Sequence, residues 1–230
     1  DMTGRVCPAP CEVSCVQALN GAGITIRNNE KFIIEQAFKH GWVVDSGKPL
    51  HRTGKKIAVV GSGPAGIAAA WRLNQLGHAV TLFERDDRFG GFLMYGIPNM
   101  KLPKDVVQRR IDTLTKVGIE LVANTEVGKD ITADELKKTF DRVVICTGAR
   151  EARDLKVPGR ELSGIMQATD FLKAATQTVL KDGPAANDQL KGKHVLVLGG
   201  GDTGNDCIGT AIRQGCADIT QLEITPALPA

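Results

Sequence analysis

Two G-x-G-x-x-G runs constrain this chain more than any other feature: Gly61-Ser62-Gly63-Pro64-Ala65-Gly66 and Gly199-Gly200-Gly201-Asp202-Thr203-Gly204. Each follows a short apolar run, Ile57-Ala58-Val59-Val60 and Val195-Leu196-Val197-Leu198, and each opens a stretch with helical character. Glycines at this spacing let the backbone turn tightly, approach a pyrophosphate, and pack a helix onto its strand. An acidic residue lies downstream of each, Glu84 and Glu223, placed to accept from a ribose. One such match is weak evidence. Two complete ones predict two dinucleotides on one polypeptide, one supplying a hydride and one holding electrons, as in a flavin reductase.

The charge balance, 29 Lys+Arg against 26 Asp+Glu, supplies no basic field for nucleic acid, and 4% aromatic residues supply few stacking platforms. Gly and Pro interrupt every apolar stretch before it could span a bilayer. No signal sequence opens the chain. These features predict a soluble, cytoplasmic protein without nucleic-acid or membrane partners. The chain begins at Asp1, inside a cysteine cluster, and ends soon after Glu223, so it reads as a piece of a longer protein that would be inactive alone.

Three segments are expected. Residues 1–52 carry Cys7, Cys11 and Cys15 and an amphipathic helix around Phe32, Ile33, Gln36, Ala37 and Phe38. Residues 53–165 start with a β-α-β unit: a strand at 57–60 buried on both faces, a helix with Pro64 in its first turn, and a strand at 79–83. A helix over 104–117, a strand at 119–122, a capping box at Thr132–Glu135 and a buried strand at 142–146 follow. The charged run Lys104–Arg110 reads as a solvated helix face. Residues 166–230 begin a second unit, with a strand from Lys193, a helix over 202–214 and a strand over 217–224. The expected fold is α/β, with Rossmann-like dinucleotide domains behind a helical N-terminal segment.

The cysteines at 7, 11 and 15 are too few for a closed four-thiolate zinc site, and an intracellular nucleotide-binding protein is a poor setting for disulfides. Cys146, Cys207 and Cys216 lie in or beside apolar segments and read as structural. None of the four histidines has a Ser, Cys or carboxylate at telling spacing, so no protein general base is expected.

The run Tyr95-Gly96-Ile97-Pro98-Asn99-Met100-Lys101-Leu102 is more specific than the fingerprints. With Gly4-Arg5-Val6-Cys7-Pro8-Ala9-Pro10-Cys11, Gly90-Gly91 and Cys146-Thr147-Gly148-Ala149, it resembles the small-subunit family of NADPH-dependent glutamate synthases. The related segments of dihydropyrimidine dehydrogenase and the ferredoxin-NADP transhydrogenases share this layout. The resemblance spans the chain and implies a glutathione-reductase-like fold. It assigns FAD to Gly61, Gly63, Pro64, Ala65, Gly66 and Glu84. It also places Gly91 and Leu93 along the flavin, Lys101 where relatives carry an Arg at the pyrophosphate, Val127 at adenine, and Thr147 and Gly148 beside the ribityl chain.

The same resemblance implies a nicotinamide nucleotide at Gly199, Gly201, Asp202, Thr203, Gly204 and Glu223. The carboxylate of Glu223 by itself favours a free 2′-hydroxyl and hence NAD; the resemblance implies NADP(H). It further implies that Cys7, Cys11 and Cys15 supply part of the ligands of two [4Fe-4S] clusters, with the remaining cysteines upstream. Some relatives have a further cysteine where Thr3 stands. Glu30 falls where dihydropyrimidine dehydrogenase has a glutamine ligand, and is either a ligand or a solvated helix residue. The implied activity is electron transfer from NADPH through FAD and the clusters to a glutamate synthase large subunit. The competing readings are a transhydrogenase-type electron-transfer subunit and a nucleotide-binding fragment without catalysis.

Overall fold

The computed structural model describes residues 1–149 and 151–225, so residues 226–230 of the expected nicotinamide segment lie outside the described residues. The chain forms two compact units. The first comprises Asp1–Met94 and Met100–Gly148, the second Tyr95–Asn99 and Ala149–Ala230.

In chain order the elements are α1 (Thr3–Val6), α2 (Pro10–Val13), α3 (Ile26–Lys39), α4 (Trp42–Gly47), β1 (Lys56–Val60), α5 (Pro64–Gln75), β2 (Ala79–Phe83), α6 (Phe92–Tyr95), α7 (Lys104–Lys116), β3 (Glu120–Val122), α8 (Ala133–Thr139), β4 (Arg142–Ile145), α9 (Ala168–Asp182), β5 (His194–Leu198), α10 (Asp202–Arg213) and β6 (Asp218–Leu222).

The first unit is built on a parallel sheet of order β3-β2-β1-β4. Its centre is β1, whose Ile57, Ala58, Val59 and Val60 are all buried, as the unbroken apolar run requires of a strand covered on both faces. Ala58, Val60, Phe83 and Leu136 form one side of the core, with Phe140 edge-on to Phe83. Helix α8 starts at the predicted capping box: Thr132 Oγ1 accepts from Glu135 N at 3.2 Å, and Thr132 N donates to Glu135 Oε2 at 2.8 Å. One strand departs from the expected burial, and another is mostly exposed. β4 stands at the sheet edge with Ile145 76% exposed, and in β5 only Val197 is buried. The second unit's described sheet has two parallel strands, β5 and β6, and its core gathers Leu172, Val197 and Cys207.

Residues 1–52 lie in the same compact unit as the four-stranded sheet. Polar chemistry holds them there. The fully buried Asn74 on α5 donates to Gly47 O at 2.9 Å and Val117 O at 3.1 Å, and accepts from Arg52 Nη1 at 2.9 Å. Glu35 on α3 accepts from Arg5 Nη2 at 2.6 Å and, in a fork, from Arg109 at 2.7 and 3.0 Å. Arg109 also stacks on Phe38 at 3.8 Å, and Asp1 reaches both Arg109 and Arg110. The run 104–110 is therefore not the solvated face expected. Lys104 is buried and donates to Leu93 O at 3.0 Å, while Arg109 and Arg110 are half-buried in the ion network. A sequence-level reading sees only the charge; the opposite charges that neutralise it lie more than seventy residues away.

Candidate functional site: two glycine cradles

Strand register sets the first cradle. Val60 pairs with Phe83 on one side and Ile145 on the other, so the next residues, Gly61, Glu84 and Cys146, emerge side by side at the carboxyl edge of the sheet. That edge is where open α/β sheets bind their ligands. Gly61 has φ +96°, and a side chain there would press on the Cys146 carbonyl at 2.6 Å. A Cβ on Gly66 would overlap the Gly61 carbonyl oxygen. Both glycines are needed for packing. Gly63 is different: a Cβ there would meet nothing within 4 Å, so this face of the turn is open. It is also the N-cap of α5, and no side chain caps that helix, whose first turn contains Pro64 and Ala65, both exposed. Uncapped N–H groups and the positive helix end are the chemistry that can receive an anion.

Glu84 is 6% exposed, and its carboxylate binds the loop. Oε2 accepts from Ser62 N at 3.0 Å and Ser62 Oγ at 2.5 Å, and Oε1 accepts from Asp86 N at 3.0 Å. Ser62 Oγ in turn accepts from Gly90 N at 2.9 Å. Gly91, at φ +53°, approaches so closely that its Cβ would stand 3.0 Å from Gly63 Cα. The Gly90-Gly91 turn thus lies against the fingerprint. Leu93 is buried beyond it and Lys101 is half-buried. Val127 is half-buried in an isolated bridge with Ile131, and Thr147 and Gly148 are exposed after β4, Gly148 at φ +68°.

The second cradle repeats this plan. Leu198 pairs with Leu222, placing Gly199 beside Glu223. Glu223 Oε2 accepts from Gly200 N, and Oε1 accepts from Ile224 N at 2.8 Å and Thr225 N at 3.1 Å. These backbone donors, Thr225 first, hold the Glu223 carboxyl below its ordinary range, so it is an anion at neutral pH. A Cβ on Gly204 would overlap the Gly199 carbonyl oxygen, while Gly199 and Gly201 face open space. Asp202 and Thr203 are exposed at the start of α10, which no side chain caps.

The cysteine segment is organised by backbone hydrogen bonds. Cys7 Sγ accepts from Ala9 N at 3.4 Å. The Ile24 N–H, and next the Gln17 N–H, hold the Cys15 thiol below its ordinary range. Cys11 is exposed, as is Glu30 on α3. Among the described residues no group of three or more His, Cys, Asp or Glu is placed to hold a metal ion. Burial, and next the neighbouring Asp206, push the Cys207 thiol up to about 11, and burial raises Cys146, so neither is an activated nucleophile. No helix among the described residues is long and apolar enough to cross a membrane.

The sequence reading does not single out Ser62, which the structure places against Glu84, or Lys104, whose ammonium the structure places on the Leu93 carbonyl. A polar residue in the second fingerprint position, one glycine after four apolar residues, is the available signal for Ser62.

The sequence model of the pyridine nucleotide-disulphide oxidoreductases matches residues 55–229, three quarters of the chain and both cradles. The chain belongs to this family. Among curated members of similar sequence, the glutamate synthase [NADPH] small chain of Bacillus subtilis is 53% identical over 232 residues, covering 100% of this chain and 47% of that protein. The glutamate synthase [NADH] of Saccharomyces cerevisiae is 50% identical, covering 100% of this chain and 11% of that protein. The chain thus spans about half the length of the small chain it matches. FprA from Mycobacterium tuberculosis shares the fold, with a TM-score of 0.59 at 22% identity over 73% of this chain and 43% of that one.

Proposed function

We propose that this oxidoreductase chain is the FAD-binding portion, and the start of the nicotinamide-binding portion, of a glutamate synthase small subunit. One observation carries the reading. Identity of 53% to such a small chain runs the full length of a chain that has two uncapped glycine cradles, each backed by a carboxylate. In this reading Gly61, Gly63 and Gly66 shape the pyrophosphate turn, the α5 N–H groups bind the pyrophosphate, and Glu84 receives the ribose. Gly91, Leu93 and Lys101 flank the flavin, Val127 pairs with adenine, and Thr147 and Gly148 approach the ribityl chain. Bound FAD supplies hydride uptake and single-electron release, and the chain contributes position and exclusion of water.

Gly199, Gly201, Asp202, Thr203, Gly204 and Glu223 receive the nicotinamide nucleotide. The full protein passes its electrons to a large subunit that forms glutamate. Cys7, Cys11 and Cys15, with Glu30 as a further candidate, contribute to [4Fe-4S] ligation completed by cysteines outside this sequence. The backbone N–H donors at Cys7 and Cys15 suit thiolate ligands.

NADP(H) is the nucleotide by resemblance. The ionised Glu223 supports NAD(H) as a second reading, and relatives named for either nucleotide are about equally identical to this chain.

The test is purification of the full-length protein and its absorbance spectrum. Flavin bands bleached by NADPH, with broad iron-sulfur absorbance, support the reading. A colourless protein that binds no FAD on titration overturns it. Reduction by NADH but not NADPH establishes the second reading.

A further inference from the structure

We infer that Ser62 is a positioning residue that aims the Glu84 carboxylate at the adenosine ribose, an inference that rests on the assignment of FAD to the first cradle. Ser62 is fully buried, and its hydroxyl has one use as donor and one as acceptor in the described structure. It donates to Glu84 Oε2 at 2.5 Å and accepts from Gly90 N at 2.9 Å. The Ser62 backbone N–H donates to the same Oε2 at 3.0 Å.

A carboxylate has about four lone-pair sites. Both sites on Oε2 are taken by Ser62, and one on Oε1 is taken by the Asp86 N–H. Oε1 is left as the oxygen that can accept from a ribose hydroxyl. The hydroxyl of Ser62 thereby fixes the Glu84 rotamer and selects which oxygen faces the ligand. By holding Gly90 N, it also ties that choice to the turn carrying Gly91.

The second cradle shows that this is an addition to the shared plan. Gly200 stands at the equivalent position and donates its N–H to Glu223, with no hydroxyl. A side chain at Gly200 would overlap the Glu223 carboxylate as it now lies. The backbone contact is common to both cradles; a hydroxyl in the second fingerprint position belongs to the first, whereas the side-chain contact on Glu223 comes from Thr225, two residues beyond it.

The test uses the full-length protein, stripped of FAD and titrated calorimetrically with ADP and with 2′,3′-dideoxy-ADP. The variants are Ser62→Gly, which keeps the backbone N–H and copies the second cradle, Ser62→Ala, Glu84→Ala, and the double variant S62G/E84A. We expect S62G and S62A to weaken ADP binding about tenfold while changing dideoxy-ADP less than about twofold. In the E84A background, S62G is expected to add nothing. Equal weakening of both probes, additive effects with E84A, or no change in ADP affinity each overturn the positioning role. If neither S62G nor S62A folds, the hydroxyl is a structural requirement and the role is likewise overturned. Wild-type protein that binds neither ADP nor FAD overturns the flavin assignment itself, an outcome distinct from all of these.

Discussion

The two cradles are built from the same parts and differ in how deeply they are set. In both, the first fingerprint glycine donates to the neighbouring strand at 2.8 Å, Gly61 to Phe83 O and Gly199 to Leu222 O. In both, the third glycine closes against the carbonyl of the first, and the distal carboxylate accepts from the second fingerprint residue and from the residue two positions after itself. Yet a Cβ on Gly61 would press on the residue following β4, while one on Gly199 would meet nothing within 4 Å, because the described sheet around it has two strands instead of four. Glu84 is buried and braced by the hydroxyl of its own fingerprint loop; Glu223 is exposed and held chiefly by backbone N–H groups, with a smaller contribution from the Thr225 side chain. The same motif thus yields a rigid, pre-set acceptor in one unit and a solvent-facing one in the other. A carboxylate held in place before binding loses less freedom when the ligand arrives.

The largest test of this contrast is at the closing glycines. Gly66→Val forces a buried side chain into the Gly61 carbonyl and should destabilise the first unit by more than about 3 kcal/mol, with loss of FAD. Gly204→Val, at a half-exposed site, should leave FAD bound in the full-length protein and raise the NADPH Michaelis constant. Flavin content and steady-state kinetics of the two variants check this, and the reverse pattern would show that the cradles are assigned to the wrong nucleotides.

Next come the carboxylates. Glu84→Ala should cost FAD on the order of 1–3 kcal/mol of affinity by titration, since it removes a desolvated acceptor. Glu223→Ala should shift the NADPH-to-NADH preference toward NADPH by only about two- to fivefold, because an exposed charge is screened by water. Equal effects from the two substitutions would break the distinction between a buried and an exposed acceptor.

The smallest effect concerns acid stability, which should also separate the units. Arg109, then Arg5, lower Glu35 from 4.5 to about 2, against a desolvation that raises it. A depressed carboxylate stabilises the fold above its unfolded value and loses that contribution as pH falls through its folded value. The first unit should therefore lose stability between about pH 4.5 and pH 2, an acid limb that Glu35→Gln flattens. With the site one-third exposed, solvent screening leaves less than about 1 kcal/mol. Acid titration of wild type and E35Q, followed by hydrogen exchange in each unit, measures it; an unchanged acid limb would remove the ion network from the account.

Much of this protein is determined by its sequence alone. Unbroken apolar runs followed by three spaced glycines require a strand, a turn and a helix, because few other backbones satisfy both the burial and the glycine geometry. β1, α5, β2 and the capping box at Thr132 lie where those local rules put them. The tertiary structure decided what depends on partners distant in sequence. β5 carries as apolar a run as β1, but only Val197 is buried, because burial is a property of the neighbours. The charges of 104–110 turn inward because Glu35 and Leu93 O receive them. Ser62 acts in the site because strand register places Glu84 beside it and the chain returns Gly90 to its hydroxyl. Local sequence selects backbone shape; which oxygen faces which donor is settled only when the strands are aligned.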